Sequence, residues 1–142
     1  MKTQTVNKRF DLIEHTADIG LIAYGQNLAE AFSNAAYGLF SIITDLRKVR
    51  KDESRTVELQ EKSPEDLLFE WLNHLIYLFD AEQLVFKECD NQEFDSYKMK
   101  AVCYGEKVDP GRHEMKLGVK AATYHQLKVD PEKNQVQVIF DI

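Results

Sequence analysis

The segment Ser63-Pro-Glu-Asp-Leu-Leu-Phe-Glu-Trp-Leu-Asn-His-Leu-Ile-Tyr-Leu-Phe79, with Leu84-Val-Phe-Lys-Glu88 close behind it, marks where the chain's apolar periodicity changes from that of a helix to that of a strand. Ser63 offers an N-cap oxygen, Pro64 a first helical residue that needs no amide partner, and Glu65 and Asp66 acids for the positive end of the helix dipole. Leu67, Leu68, Trp71, Leu72, Leu75, Ile76, Leu78 and Phe79 make a broad apolar face, with Glu70, Asn73, His74, Tyr77 and Asp80 mostly on the other side.

Downstream, period two prevails. Leu84–Glu88, Ser96–Tyr104, Leu117–Tyr124 and Gln135–Phe140 read as strands, with breaks expected at Asn91, Asp109-Pro-Gly111 and Asp130-Pro-Glu132. Upstream, Phe10–Glu14 and Ile19–Gly25 read as two strands around a turn. Asn27 with Glu30 fits a capping box, and Leu28, Ala31, Phe32, Ala35, Ala36, Leu39, Phe40 and Ile43 follow at helical spacing. A basic stretch, Arg47–Lys51, precedes the alternating run Ser54–Gln60. Strands around two helices, then a run of strands, predict a compact two-layer α+β fold in which both helices pack on mainly antiparallel sheet. No repeat or linker divides residues 1–142, which read as a single domain.

Of the 142 residues, 44% are apolar and 30% charged, a balance that excludes disordered and fibrous classes. A domain of this size buries about 70% of its unfolded surface, so a metal site would serve function rather than folding. The formal charge is −6, concentrated centrally: residues 51–95 carry 13 acids against 4 bases. Such a field repels phosphate backbones and disfavours strong direct nucleic-acid binding. Cys89 and Cys103 have no metal-ligand spacing and are expected as reduced thiols in the cytoplasm or a similarly reducing compartment. No apolar run approaches the ~20 residues of a membrane span, and a signal-peptide core is lacking.

Three segments can carry chemistry. Glu14-His-Thr-Ala-Asp-Ile-Gly20 packs two carboxylates and an imidazole into the connection between two strands, though Thr-Ala-Asp can equally be an Asx-type turn. At the other end, Val136, Val138, Phe140 and Ile142 share one strand face, so Asp141 points to the opposite one beside the carboxylate of Ile142. Oxygen anions without Cys or clustered His favour a hard divalent cation, Ca²⁺ or Mg²⁺, with Asp18, Asp141 and Ile142 as a partial shell. Glu14, His15 and His125 are candidates for its surroundings. Lys120, flanked by apolar and small residues, is either the solvent-facing half of a strand or a cation placed to hold phosphate or a partner's acid. No glycine-rich phosphate loop, Gly-x-Ser-x-Gly elbow or nucleophile arrangement occurs, which argues against a self-sufficient enzyme.

Together these segments resemble the archease family, auxiliary proteins of the RtcB-type tRNA-splicing ligase. Glu14–Gly20 is similar to the family's N-terminal signature, Leu67–Phe79 to its aromatic-rich helix, Lys120–His125 to its lysine strand and Val138–Ile142 to its ending. The resemblance implies a non-catalytic activator that speeds guanylylation of the ligase by GTP and allows repeated turnover. It places the functional positions on Asp18, Lys120 and Asp141, with a divalent cation between the aspartates and the chain end. Two alternatives stand beside it: a stand-alone metal-dependent hydrolase with Asp18 and Asp141 as ligands, and a chaperone-like binding module with an incidental cation site.

Overall fold

A computed structural model describes residues 8–142. The elements run β1 (Phe10–Glu14), β2 (Asp18–Tyr24), α1 (Leu28–Ile43), a short 3-10 turn (Leu46–Lys48), β3 (Glu53–Gln60), α2 (Pro64–Glu82), β4 (Leu84–Phe94), β5 (Lys98–Lys107), β6 (Ala121–Asp130) and β7 (Gln135–Asp141). Among the described residues the class is α+β, with two α-helices and antiparallel strands. The strands divide between two sheets, ordered β1-β2-β7-β6 and β3-β5-β4.

Helix α1 packs on β2 of the first sheet and on β4 of the second. That double contact explains its composition: eleven of its 16 residues are buried. At Gly38 a Cβ atom would come within 2.6 Å of the Leu21 side chain, so any larger residue there would have to displace that buried leucine. Helix α2 lies against β6, β3 and β4, and its Trp71 indole donates to the Phe32 carbonyl of α1 across 2.9 Å. Both helices are capped. The Asn27 side chain accepts from the Glu30 amide at 2.8 Å, and Ser63 Oγ from Asp66 at 3.0 Å. The Glu30 carboxylate reaches the Gln26 amide, one residue further back than a capping box requires.

Three expectations are corrected. Asn91 does not break the chain: β4 runs through it, absorbing two register shifts, because the Asn91 amide donates to Ala29 O and Ser33 Oγ on α1. The turn comes later, at Asp95-Ser96, where Ser96 takes a positive φ of 77°. Leu117–Lys120 is not strand; β6 starts at Ala121, at the end of a crossing from one sheet to the other. Finally, Cys89 and Cys103 are not reduced thiols. The β4–β5 register sets them directly opposite each other, with Cα atoms 4.0 Å apart, and they form a disulfide. A disulfide-bonded pair gives no indication of a reducing compartment. No helix among the described residues is long and apolar enough to cross a membrane.

The crossing between sheets is anchored at its start. Glu106, buried at the end of β5, accepts from both Arg112 guanidinium nitrogens (2.6 and 2.7 Å), the Arg50 amide (2.7 Å) and His113 Nε2 (3.0 Å). His113 Nδ1 accepts from the Asp109 amide, which leaves the ring proton on Nε2, facing Glu106. The Arg112 guanidinium holds the Glu106 carboxyl down at about 2. Further along, Thr44 Oγ1 donates to Glu114 O and the Lys116 amide to Ile43 O, pinning the crossing to the end of α1.

Candidate functional site

One end of the four-stranded sheet collects the β1–β2 turn, the last residues of β7 and the start of β6. Asp18 and Asp141 are direct register partners there. Ile19, Leu21, Ala23, Val138 and Phe140 are buried toward the helices, so strand alternation directs Asp18 and Asp141 to the sheet's other face. Side chains directly opposite in an antiparallel pair stand about 4.5–5.5 Å apart at Cβ, and two carboxylates so placed repel each other. Asp18 Oδ1 is buried and has no hydrogen-bond partner among the described residues. Its side chain therefore does not make the Asx turn that Thr-Ala-Asp allows; the turn is closed by the His15 amide on Asp18 O at 3.1 Å.

Asp141 is flanked on its other side by β6. Ala121 is its register partner, yet the Lys120 amide also donates to Asp141 O at 2.8 Å. Two residues of one strand thus face one of the other, the arrangement of a β-bulge, which re-aims side chains out of plain alternation. Lys120 is exposed and, among the described residues, has no ion-pair partner within 4.0 Å. The Ile142 amide reaches Ala17 O at 3.4 Å, and the Ile142 side chain packs against the core.

The remaining candidates are not gathered in. Glu14 pairs with Ile19, so it shares the helix-side face and not that of Asp18. His15 is exposed and lines a small cavity of about 70 Å³ with Ile13, Ile22 and Ile139 on the outer sheet face. His125 sits four residues beyond Ala121, about 13 Å along the strand, within the stretch where β6 loses register with β7. Among the described residues no three His, Cys, Asp or Glu side chains form a metal-holding group, so side chains alone contribute two carboxylates here. A larger cavity, about 640 Å³, lies around Arg9, Tyr24 and Asn34 at the far end of β2. Its arginine is already committed to Asn34, Glu88 and the Tyr37 ring.

Helix α2 contributes a contact that periodicity does not reveal. The Asn73 side chain accepts from the Ala122 amide at 2.9 Å and donates to the Ala122 carbonyl at 3.2 Å. One turn earlier, Phe69 stacks on Tyr124 at 3.9 Å between ring centroids. The Tyr124 hydroxyl donates to Asp66, which pushes its pKa up to about 12.

Residues 10–142 match the model of the archease protein family (MTH1598/TM1083). The chain belongs to the archease family. It is 44% identical over 126 residues to the protein archease of Pyrococcus abyssi, covering 87% of this chain and 89% of that protein. To the protein archease of Sulfurisphaera tokodaii it is 40% identical over 134 residues, 94% of this chain and 96% of the relative. The solution structure of Methanobacterium thermoautotrophicum protein 1598 superposes with a TM-score of 0.75 at 32% identity, covering 94% and 98% of the two chains. The α+β class of this chain matches that structure.

Proposed function

We propose that this archease family member is a non-catalytic activator of an RtcB-type RNA ligase in tRNA splicing, promoting guanylylation of the ligase by GTP and repeated turnover. The observation that supports this reading is the pairing of Asp18 with Asp141 beside Lys120 at a single sheet end. Two facing carboxylates, one with a buried unpartnered oxygen, make a donor set suited to a hard cation, so Ca²⁺ or Mg²⁺ fits the residues present. Asp18 and Asp141 would hold it, with a main-chain oxygen of Ile142 as a third donor. Bound there, the cation would offset the carboxylates' repulsion and offer positive charge to phosphate oxygens.

The chain's own residues do the rest. Asp18 is held by the β1–β2 turn and Asp141 by hydrogen-bonded neighbours on both sides, so neither must be ordered when a partner docks. Lys120 supplies an exposed cation for a phosphate or a partner's acid. With a net charge of −6 the protein leaves tRNA to the ligase, and such a pair works in the cytoplasm. The test is reconstitution: purified ligase, GTP and Mg²⁺, with and without this protein. Faster formation of guanylylated ligase is expected. Turnover of GTP or RNA ends by this protein alone, or an unchanged guanylylation rate, would refute the reading.

A further inference from the structure

We infer that Asn73 is a positioning residue: its side-chain amide caps the open edge of the sheet at Ala122 and thereby holds the bulge that presents Lys120 beside Asp141. The inference rests on the role proposed for Lys120.

The backbone geometry leads to it. Along a strand, amide and carbonyl groups point alternately to one neighbour and the other. Ala121, Ala122 and Thr123 lie opposite Asp141, Phe140 and Ile139, but the N–H and C=O of Ala122 both meet Asn73 and so lie on the side away from β7, toward an edge where no further strand is paired among the described residues. Asn73 takes both groups, doing with one side chain what a neighbouring strand would do. The need for such a clamp is local. Only Ala121, Ala122 and Thr123 pair with β7 before register is lost until Lys128, and at the first of them the Lys120 amide doubles the pairing on Asp141 as in a bulge. A bulge can migrate by one residue, and a one-residue slip turns every side chain to the other face. Held at Ala122, two residues past Lys120, the strand cannot slide. The Phe69–Tyr124 stack anchors the same strand one helical turn away but does not touch the bulge.

Two substitutions test this in the full chain. Asn73→Ala removes both hydrogen bonds; Asn73→Asp keeps the acceptor for the Ala122 amide and loses the donor. In Asn73→Ala, amide exchange at Ala122 and Lys120, read by NMR, should quicken by about tenfold, the scale of one or two lost hydrogen bonds. Exchange at Leu21 and Val138 should not change. Maximal ligase stimulation should fall several-fold in Asn73→Ala and less in Asn73→Asp, with the concentration for half-maximal stimulation unaltered. Combined with Lys120→Ala, Asn73→Ala should add no further loss, because it acts through that lysine. Unchanged exchange at Lys120, or additive losses in the double variant, would overturn the inference. If the native chain fails to stimulate the ligase at all, the proposed function falls, while the exchange measurement still decides whether Asn73 holds the bulge.

Discussion

Asp18→Asn should reverse its effect on stability according to whether a divalent cation is present. Asp18 and Asp141 face each other in register on one side of the sheet. At about 5 Å, two unit charges repel by roughly 1 kcal/mol in a fully aqueous dielectric and about 3 kcal/mol at the effective value near a protein surface. Asp141 is exposed, so the lower figure applies. In EDTA, removing the Asp18 charge should therefore stabilise the fold by about 1 kcal/mol, a rise of about 4 °C in Tm for a chain of this length. Saturating cation acts oppositely on the native sequence: at one hundred times Kd it adds about 2.7 kcal/mol, which the substituted chain, with one carboxylate fewer, should largely forgo. The order of melting temperatures should thus invert between EDTA and millimolar Ca²⁺ or Mg²⁺, with calorimetric titration reporting the lost affinity directly. A native Tm indifferent to both cations, or an equal gain in the two chains, would refute the assignment of the carboxylate pair as a cation site.

Lys120→Ala should abolish stimulation of ligase guanylylation yet shift stability by no more than about 0.5 kcal/mol, because the side chain is exposed; full stimulation would return Lys120 to a solvent role. The Glu106 carboxyl is held at about 2, against an ordinary 4.5, chiefly by Arg112. A depressed carboxylate contributes its stability above the ordinary value and loses it as pH falls toward the depressed one, so Glu106→Gln should cost about 3 kcal/mol at pH 7 and progressively less between pH 4.5 and 2 in urea titrations. A penalty that does not shrink with acid would show that packing, not charge, is what the substitution removes. The Cys89–Cys103 pair, 14 residues apart, predicts no free thiol in a denatured, unreduced sample, and a loss of about 3 kcal/mol on replacing both by Ala; two titratable thiols would contradict it.

The helices were legible because their signals are local. Ser63, Pro64 and the apolar face from Leu67 to Phe79 act within a few residues of chain, and the cap and buried face appear where those residues require them. Most strands were legible for the same reason, since period-two burial is written along the strand itself. Asp18, Lys120 and Asp141 stood out as residues of the right chemistry, and the opposite face of Asp141 followed from alternation with Phe140.

What joins residues distant in the chain was decided only by the tertiary structure. The division of the strands into two sheets, the meeting of Asp18 with Asp141 across 123 positions of sequence, and the pairing of Cys89 with Cys103 all depend on register, to which no single strand commits alone. Glu14 depends on register in the same way: its pairing with Ile19 puts it on the face opposite to that of Asp18. Asn91 and Asn73 make the same point from opposite sides. Each reads locally as a breaker or a surface polar residue. Each instead spends its amide on a backbone group of another element, because a buried or edge carbonyl must find a donor somewhere, and only the assembled fold determines which side chain is near enough to provide it.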